Sequence, residues 1–437
     1  MNLRKAFVGT AVFLMAGLLS FSAFQKAVCA GSGENDNSGK AIRSGTAHIA
    51  GAMESNIYFG NYWQSVKSED ATEDNKEPVK WRVLANDGNL FVVSDKNLDC
   101  VEYNSSAETV TWEECTLRKW LNSKFLDKAF TAQEKNAVLE SLVVNEDGAK
   151  GSEAGADTYD KVYLLSIYEV IDPELGFPTD WKDQGGTRVA LNTEYTKSKR
   201  ALTNPDMSGA WWLRTPGDAK NAANVFNTGK VFVRGGNVNN FIFAVRPAMN
   251  IDTSKVLFTS PAEGGKISGE PGADAMKEVG SYTGSDWKLT IKDDTRPVFE
   301  ASVSGSKTIL KDGAVKLKYK GASTGENEYI SAIIEDTEGN ILYYGNIAGN
   351  AADGADSGKA ALNVPAELMP GTYKILVFSE QCNGDFKTDL ASNIVTLDIT
   401  ISKYKTADRN LLIGISAAIV AAACVVVVVA VRKKKHA

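Results

Sequence analysis

The stretch Trp211-Trp212-Leu213-Arg214-Thr215-Pro216-Gly217 holds two of the seven tryptophans that lie between positions 63 and 212 of this 437-residue chain. The eighth, Trp287, lies well apart from them. Aromatic side chains bury the most area each, so their confinement to one segment predicts a separate hydrophobic core there. Segments without periodicity flank it on both sides. We therefore predict a flexible, polar leader over 31–52, a first module over 53–258 and a Gly-rich linker over 259–286.

The first module is predicted to mix α-helices and β-strands. Apolar runs at 57–60, 81–84 and 90–93 are typical of strands, and the turn signal at 86–89 predicts a hairpin between the last two. Two helix starts are indicated by capping boxes, in which a Thr is followed three residues later by a Glu. These boxes are Thr111 with Glu114 and Thr131 with Glu134. The end of the module returns to β-structure, with strands expected at 231–233 and 241–245.

The second module, predicted over 287–402, shows short alternating runs of apolar and polar residues. They occur at 287–291, 315–319, 329–334, 341–344, 372–378 and 394–401, with turn signals such as Pro370-Gly371 between them. No run has a helical period. Short strands at this regular spacing predict two packed sheets of the immunoglobulin-like type.

The two ends of the chain carry targeting signals. Residues 1–30 have a charged start, an apolar core and a Val28-Cys29-Ala30 site, which predicts a secretory signal peptide. A lipoprotein signal with Cys29 as the lipidated residue is the alternative. Residues 410–431 are long and apolar enough for a transmembrane helix, and 432–437 form a basic tail. We expect a single-pass type I protein of the cell membrane with its main part extracellular.

Composition excludes several classes of function. The 54 acidic residues all lie outside the signal, the apolar stretch and the tail, where seven of the 48 Lys and Arg are found. The displayed part therefore carries 41 basic residues, a charge of about −13, which argues against a nucleic-acid partner. The two histidines, His48 and His436, lie in the leader and the tail. This excludes Ser-His-Asp, Cys-His and His-based zinc sites in the modules, and we predict no cofactor.

Three cysteines remain for the displayed part, namely Cys100, Cys115 and Cys382. Cys100 and Cys115 flank a short loop that a disulfide could close. Two buried or tolerated thiols are the alternative, and an odd number of cysteines is not typical of a disulfide scaffold.

Six blocks of the first module resemble a domain of unknown function that is common in secreted and surface proteins of Gram-positive anaerobes. The blocks are Phe59-Gly60, Trp81-Arg82-Val83-Leu84, Leu117-Arg118-Lys119-Trp120-Leu121-Asn122, Asp160-Lys161-Val162-Tyr163-Leu164-Leu165-Ser166, Trp211-Trp212-Leu213-Arg214-Thr215-Pro216-Gly217 and Val245-Arg246-Pro247-Ala248. Their order over about 190 residues makes the resemblance specific. The family implies no activity that could be transferred.

A more distant resemblance is to the C-type-lectin-like fold, including its formylglycine-generating branch. It rests on the Trp-rich block, the Gly-containing hairpin after it and the closing Val245-Arg246-Pro247 strand. The calcium–sugar motifs of the lectins and the paired redox cysteines of the oxidase are both missing, so neither activity is implied. The predicted fold class is thus an α+β C-type-lectin-like head, an all-β immunoglobulin-like sandwich and one C-terminal transmembrane helix.

The predicted ligand surface is the polar loop after residue 233. Glycines there allow a partner to approach the backbone, and Asn amides both donate and accept hydrogen bonds. The candidate binding residues are Trp211, Asp218, Arg234, Asn237, Asn239 and Asn240. Ordinary turns and core aromatics are the structural alternative, and a calcium site formed by these oxygens with Asn221, Asn224 and Asn227 is a further one.

We predict a non-enzymatic binding or adhesion module for an extracellular glycan or protein ligand. The alternatives are an enzyme that cleaves polysaccharides with paired carboxylates, drawn from Asp157, Asp160 and Glu169, and a structural component of the cell envelope. Arg118, Arg214 and Arg246 are expected to pair inside the fold, with a ligand carboxylate as the alternative partner.

Overall fold

The computed structural model describes residues 39–403, and most of their regular structure is β. The strands are β1 (Arg43–Ser44), β2 (Asn56–Tyr62), β3 (Glu77–Asn86), β4 (Asn89–Ser94), β5 (Asp99–Cys100), β6 (Ser141–Val143), β7 (Thr158–Asp160), β8 (Val162–Tyr163), β9 (Ala190–Leu191), β10 (Ser208–Gly209), β11 (Trp211–Pro216), β12 (Asn221–Val225), β13 (Val231–Asn237), β14 (Ala244–Val245), β15 (Ala248–Asp252), β16 (Val256–Pro261), β17 (Lys277–Glu278), β18 (Asp286–Lys292), β19 (Glu300–Val303), β20 (Thr308–Leu310), β21 (Ala314–Lys320), β22 (Glu328–Glu335), β23 (Ile341–Gly349), β24 (Gly358–Asn363), β25 (Gly371–Gln381), β26 (Asp389–Ala391) and β27 (Val395–Ser402).

Helical segments are few and short. The α-helices are α1 (Thr116–Trp120), α2 (Leu126–Ala129), α3 (Ala132–Ala137) and α4 (Glu194–Ser198), and a π-helical turn (Leu121–Phe125) joins α1 to α2. Single 3₁₀ turns occur at Ser68–Asp70, Glu73–Asn75, Glu169–Ile171, Pro173–Leu175, Gly186–Arg188 and Thr253–Lys255. The capping box of Thr131 and Glu134 is confirmed at the start of α3. The start predicted at Thr111 is wrong, because Cys115 is the N-cap of α1.

The predicted fold class is therefore corrected. An α+β lectin-like head was expected, whereas the structure is mostly β, with 39% strand against 12% helix. The physical reason is that the helical spacing of Leu117, Trp120 and Leu121 is local. It produces a single short helical run, α1 to α2, which the π-helical turn interrupts.

The predicted membrane anchoring is corrected as well. None of the helices between residues 39 and 403 is long and apolar enough to cross a membrane. The prediction of a single-pass type I membrane protein therefore finds no support within residues 39–403. The predicted transmembrane helix at 410–431, the basic tail and the signal peptide at 1–30 all lie outside the described residues.

Strand β18 joins the two predicted modules into one sheet. Its first residues pair in parallel with β2 of the first module, through Asp286 with Asn56. Its last residues pair in parallel with β26 of the second module, through Thr290 with Asp389. On the other side β18 pairs with β16. The resulting sheet runs in the order β17-β23-β22-β25-β26-β18-β2-β3-β4-β15-β8, so the modules are continuous at the level of backbone hydrogen bonds.

The described part of the predicted flexible leader is folded. Strand β1 pairs with β16, and Ile42 and Ile49 are 2% exposed. The His48 ring lies edge-on against Trp287, with 4.6 Å between ring centroids, and its Nε2 is 3.0 Å from Thr259 Oγ1. The segment predicted as a linker also contains β17 and the end of β16, so residues 39–52 and 259–286 both build on the central sheet.

The hydrophobic core has two main parts. One fills the first module and includes Trp81, Trp211 and Trp212, but it also takes in Trp287 from β18. The other lies in the second module between β22 and β25 on one side and the three-stranded sheet β19-β21-β24 on the other. This second arrangement arises from the alternating runs of the sequence, which place Val315 and Leu317 on the inner face of β21.

Candidate functional site

The predicted site residues lie on a second sheet of the first module, in the order β13-β12-β11-β14-β5. Trp211 begins β11, is fully buried and donates its indole N–H to the carbonyl of Arg188 at 3.1 Å. The guanidinium of Arg246 covers the ring at 5.0 Å from its centroid. Trp211 therefore has no surface to offer a ligand, and its role is in the core.

The remaining predicted residues do come together at one edge. Asn221 pairs with Asn237 across β12 and β13, which places the turn holding Asp218 beside the end of β13. The Asp218 carboxylate is 3.7 Å from the guanidinium of Arg234, whose side chain is 64% exposed. Phe241 follows at 52% exposure. We call Asp218, Arg234, Asn237, Asn239, Asn240 and Phe241 the hairpin surface.

The Asn side chains of the hairpin surface stabilise their own turns. Asn237 Oδ1 accepts from the Asn239 N–H at 3.3 Å, and Asn240 Oδ1 accepts from the Ile242 N–H at 3.2 Å. Asn224 is fully buried and cannot share in a calcium site at this edge. No group of three or more His, Cys, Asp or Glu able to hold a metal occurs in residues 39–403. The hairpin surface is polar, but its polar groups are largely engaged locally.

The arginines of the matched blocks pair inside the fold, as predicted. Arg118 Nε donates to Asp160 Oδ1 at 2.7 Å, and Arg214 pairs with Glu169. Arg246 is fully buried and donates from Nε to the Ser94 carbonyl at 2.9 Å. Burial, and then the nearby Arg82, lowers the pKa of Arg246 to about 9.

The carboxylates considered for catalysis are structural. Asp160 is 2% exposed, and it also accepts from the Trp112 indole at 3.0 Å and from Thr158 Oγ1 at 2.7 Å. Asp157 accepts from the Asn145 N–H at 2.8 Å on the surface. With Glu169 held by Arg214, these groups do not form a facing pair of free acids.

The three cysteines between residues 39 and 403 are free thiols. Cys100 and Cys115 are buried and unpaired, and Cys100 Sγ lies 2.9 Å from the Phe241 carbonyl oxygen. Burial raises the pKa of each thiol to about 12. The disulfide alternative is not seen.

A concave site that the sequence did not indicate lies where the two modules meet. One cavity of about 290 Å³ is lined by residues that include Tyr58, Gln64, Glu77, Lys80, Asp95, Lys96 and Phe386. A second, of about 660 Å³, is lined by residues that include Asn56, Lys80, Glu263, Tyr282, Asp286 and Phe386. Lys80 and Phe386 line both, so the two cavities are neighbours that share part of a wall. We call the two together the junction groove.

An aromatic pair lines the junction groove, in which Phe386 borders both cavities and Tyr58 borders the first. Tyr58 of β2 and Phe386, from the loop between β25 and β26, have ring centroids 4.8 Å apart. Phe386 has a φ of 60°, a left-handed conformation that costs energy for a bulky residue. Its N–H donates to the Ala262 carbonyl at 2.7 Å, which helps to hold the strained loop against the segment that follows β16. Strain of this kind is concentrated at functional sites.

Two ion pairs lie beside the aromatic pair. Lys80 Nζ is 2.8 Å from Asp286 Oδ2 and 5.9 Å from the centre of the Tyr58 ring. Asp95 pairs with Arg82 at 2.6 Å. Partial burial, and then Asp286 and Asp95, raises the pKa of Tyr58 to about 12. The Tyr58 hydroxyl is thus neutral at physiological pH and able to donate a hydrogen bond.

Sequence reasoning missed this groove because its walls come from segments more than 300 positions apart. The turn signal Asn383-Gly384-Asp385 interrupts a run of strands and places an aromatic residue directly after it, which could have marked Phe386. Nothing in the sequence pairs that turn with Tyr58. The pairing depends on β18, which was assigned to one module alone.

The fold thus defines a mostly β protein whose two modules share a sheet and enclose a groove at their junction. Residues 87–253 match a domain of unknown function (DUF6273). This match confirms that a domain of unknown function lies in the first module. The match does not extend to β2, β18 or the second module. Of the groove residues named above, it includes Asp95 and Lys96. No curated protein matches the chain.

Proposed function

We propose that the protein is a binding module that holds a glycan segment in the junction groove. The observation that carries this proposal is the Tyr58–Phe386 pair, formed by one residue from each module between two cavities that share a wall. Concave sites at domain interfaces with aromatic walls and a few polar groups are where small ligands bind.

The lining favours a neutral or weakly charged polar polymer. An aromatic face packs against the apolar face of a sugar ring, and the Tyr58 hydroxyl and Lys96 offer donors near it. Gln64 Nε2 already donates to the Pro78 carbonyl at 2.8 Å and to the Glu77 carbonyl at 3.4 Å. Three of the four acids in the lining are engaged, Glu77 by Ser65, Asp95 by Arg82 and Asp286 by Lys80. The fourth, Glu263, is exposed at the rim. Two consecutive cavities match an extended chain better than a single small molecule.

A protein ligand on the hairpin surface is the second candidate. The exposed Phe241 beside the exposed Arg234 supports it, because aromatic and Arg side chains are enriched at the centres of protein interfaces. The two proposals differ in location and are therefore separable by substitution.

Binding of the purified protein to a panel of soluble glycans tests the first proposal. The panel comprises neutral glucan, N-acetylglucosamine and uronic-acid oligomers, measured by isothermal titration calorimetry. We expect saturable binding to at least one class without release of new reducing ends. Absence of binding to every class would overturn the proposal, and new reducing ends would favour the carboxylate enzyme instead.

A further inference from the structure

Four charged side chains meet in the interior of the molecule, apart from the junction groove. Lys266 precedes β17, Lys288 lies on β18, Glu380 is near the end of β25 and Asp389 begins β26. Each of these side chains is at most 3% exposed. We call them the buried ionic cluster. The two positive and two negative charges of the cluster balance. Removing each ion from water still costs several kcal/mol, so the burial of all four needs an explanation.

The two oxygens of Asp389 have different surroundings. Oδ2 is 2.5 Å from Lys266 Nζ. Oδ1 accepts from Lys288 Nζ at 2.9 Å and from the Asn383 N–H at 2.8 Å. Two donors on Oδ1 are placed to stabilise negative charge there, as in an oxyanion hole, while Oδ2 faces an amine.

Glu380 completes the set. Its Oε1 accepts from the Tyr344 hydroxyl at 2.5 Å. Its Oε2 is fully buried, has no hydrogen-bond partner and lies 3.3 Å from Lys266 Nζ. A buried carboxylate oxygen without a donor, next to an amine, is suited to accept a proton from that amine.

We propose that Lys266 and Asp389 join in an intramolecular amide bond, with Glu380 as the proton carrier and Lys288 and the Asn383 N–H as the oxyanion donors. The bond would link the segment before β17 to β26, residues 123 positions apart in the chain. It requires no cofactor and no external reagent.

The reaction balances as a condensation. A proton passes from Lys266 Nζ to Asp389 Oδ2, which gives a neutral amine and a neutral carboxylic acid. Nζ then attacks Cγ, and the negative charge develops on Oδ1. Glu380 takes a second proton from Nζ and passes it to the departing Oδ2, so the Cγ–Oδ2 bond breaks and one water leaves. Glu380 ends as it began, and Lys288 remains as its counter-charge.

The geometry places Lys266, and not Lys288, beside the oxygen that leaves. Lys288 Nζ lies on the Oδ1 side and also donates to the Gly384 carbonyl at 2.6 Å. Lys266 Nζ lies on the Oδ2 side and also donates to Thr290 Oγ1 at 2.7 Å. Burial lowers the pKa of Lys288, so the assignment of Lys266 as the nucleophile rests on its position. Burial alone would lower the pKa of Lys266, but Asp389 and Glu380 raise it above its usual value. Lys266 therefore starts protonated, and the first transfer has to occur within the 2.5 Å pair.

Mass spectrometry of the purified full chain tests the bond directly. We expect the denatured protein to weigh one water less than its sequence, and a tryptic digest to contain the peptides of Lys266 and Asp389 as one branched species. A succinimide at an Asp-Gly step such as Asp87-Gly88 loses the same mass, so the branched peptide is the criterion. Separate, unmodified peptides would overturn the proposal.

Substitutions then test the roles. Lys266→Arg and Asp389→Ala should restore the full mass, and Glu380→Gln should leave most molecules uncrosslinked while the fold, checked by circular dichroism, persists. Lys292→Arg is the matched control, because Lys292 lies on the same strand as Lys288 but is 40% exposed and pairs with Asp294 outside the cluster, so this variant should retain the bond. A branched peptide that contains Lys288 in the wild type would overturn the assignment of Lys266 as the nucleophile. Full crosslinking in Glu380→Gln would overturn the assignment of Glu380 as the proton carrier.

Discussion

Thr388 Oγ1 donates a 2.8 Å hydrogen bond to Glu134 Oε1, across 254 positions of sequence and between the two modules. The same Oε1 accepts from the Gly60 N–H at 3.1 Å, while Oε2 accepts from the Thr131 N–H at 3.0 Å. One buried carboxylate thus caps α3, fixes β2 and holds the loop that carries Phe386. It connects the sequence signal of the capping box to the geometry of the junction groove.

Loss of this contact should destabilise the protein measurably. Thr388→Val removes a buried hydrogen bond and should lower the free energy of unfolding by about 1–2 kcal/mol. In a double-mutant cycle with Glu134→Ala, measured by urea unfolding, we expect a coupling energy of about 1 kcal/mol. The exposed Glu140→Ala is the control and should change little. Additive effects would show that Thr388 and Glu134 do not interact.

His48 should make stability depend on pH. Burial, and then Arg43, lowers its pKa from 6.5 to about 4 in the folded state. The unfolded chain therefore binds the proton first as the pH falls, so the free energy of unfolding is fully retained above pH 6.5 and decreases from there toward pH 4. His48→Gln keeps a polar side chain near Thr259 and should flatten this part of the curve. Identical pH profiles for wild type and variant would contradict a folded leader.

Gly60 should not tolerate a side chain. Its φ is 70°, and a Cβ there would lie 2.6 Å from the Ala129 carbonyl oxygen and from the Phe130 ring. We expect Gly60→Ala to cost about 3 kcal/mol or more in urea unfolding. Gly88→Ala is the matched control, since φ is also positive but nothing lies within 4 Å, and it should cost about 1–2 kcal/mol. Equal costs would show that the close approach of β2 to α2 is absent.

Asp160 and Asp157 should differ sharply, although the sequence suggests them as a pair. Asp160→Ala leaves Arg118 and the Trp112 indole without their buried acceptor and should cost about 3–5 kcal/mol. Asp157→Ala removes one surface hydrogen bond and should cost about 1 kcal/mol or less. Thermal unfolding of both variants checks this. A stable Asp160→Ala protein would reopen a catalytic role for that carboxylate.

Local patterns predicted many of the strands, although the one expected over 241–245 is confined to β14 (Ala244–Val245). The turn at Gly88 and the hairpin of β12 and β13 follow from turn chemistry, and alternation placed β21, β22, β25 and β27. The inward pairing of Arg118 and Arg214 followed from the geometry of the guanidinium group. These features depend on residues close in sequence or on the chemistry of one side chain.

Long-range pairing was not predictable in the same way. Strand β18 was predicted as the first strand of the second module. Two of its three neighbours, β2 before it and β26 after it, are each more than 90 positions away in sequence. Glycines at 264, 265, 269 and 272 are typical of a linker, whereas the segment that holds them also buries Lys266. A high glycine content indicates a flexible chain. It does not indicate which strand, distant in sequence, pairs with another to complete a sheet.

The most direct test of the junction groove is the dissociation constant of the best-bound oligosaccharide, measured by calorimetry for the wild type, Phe386→Gly and Phe241→Ser. Phe386→Gly removes the ring and relieves the strained φ, so the protein should stay folded while binding weakens about tenfold, or ~1.4 kcal/mol. Phe241→Ser, on the hairpin surface, should bind as the wild type does. Unchanged binding by Phe386→Gly together with loss in Phe241→Ser would contradict the groove and place the ligand on the hairpin surface.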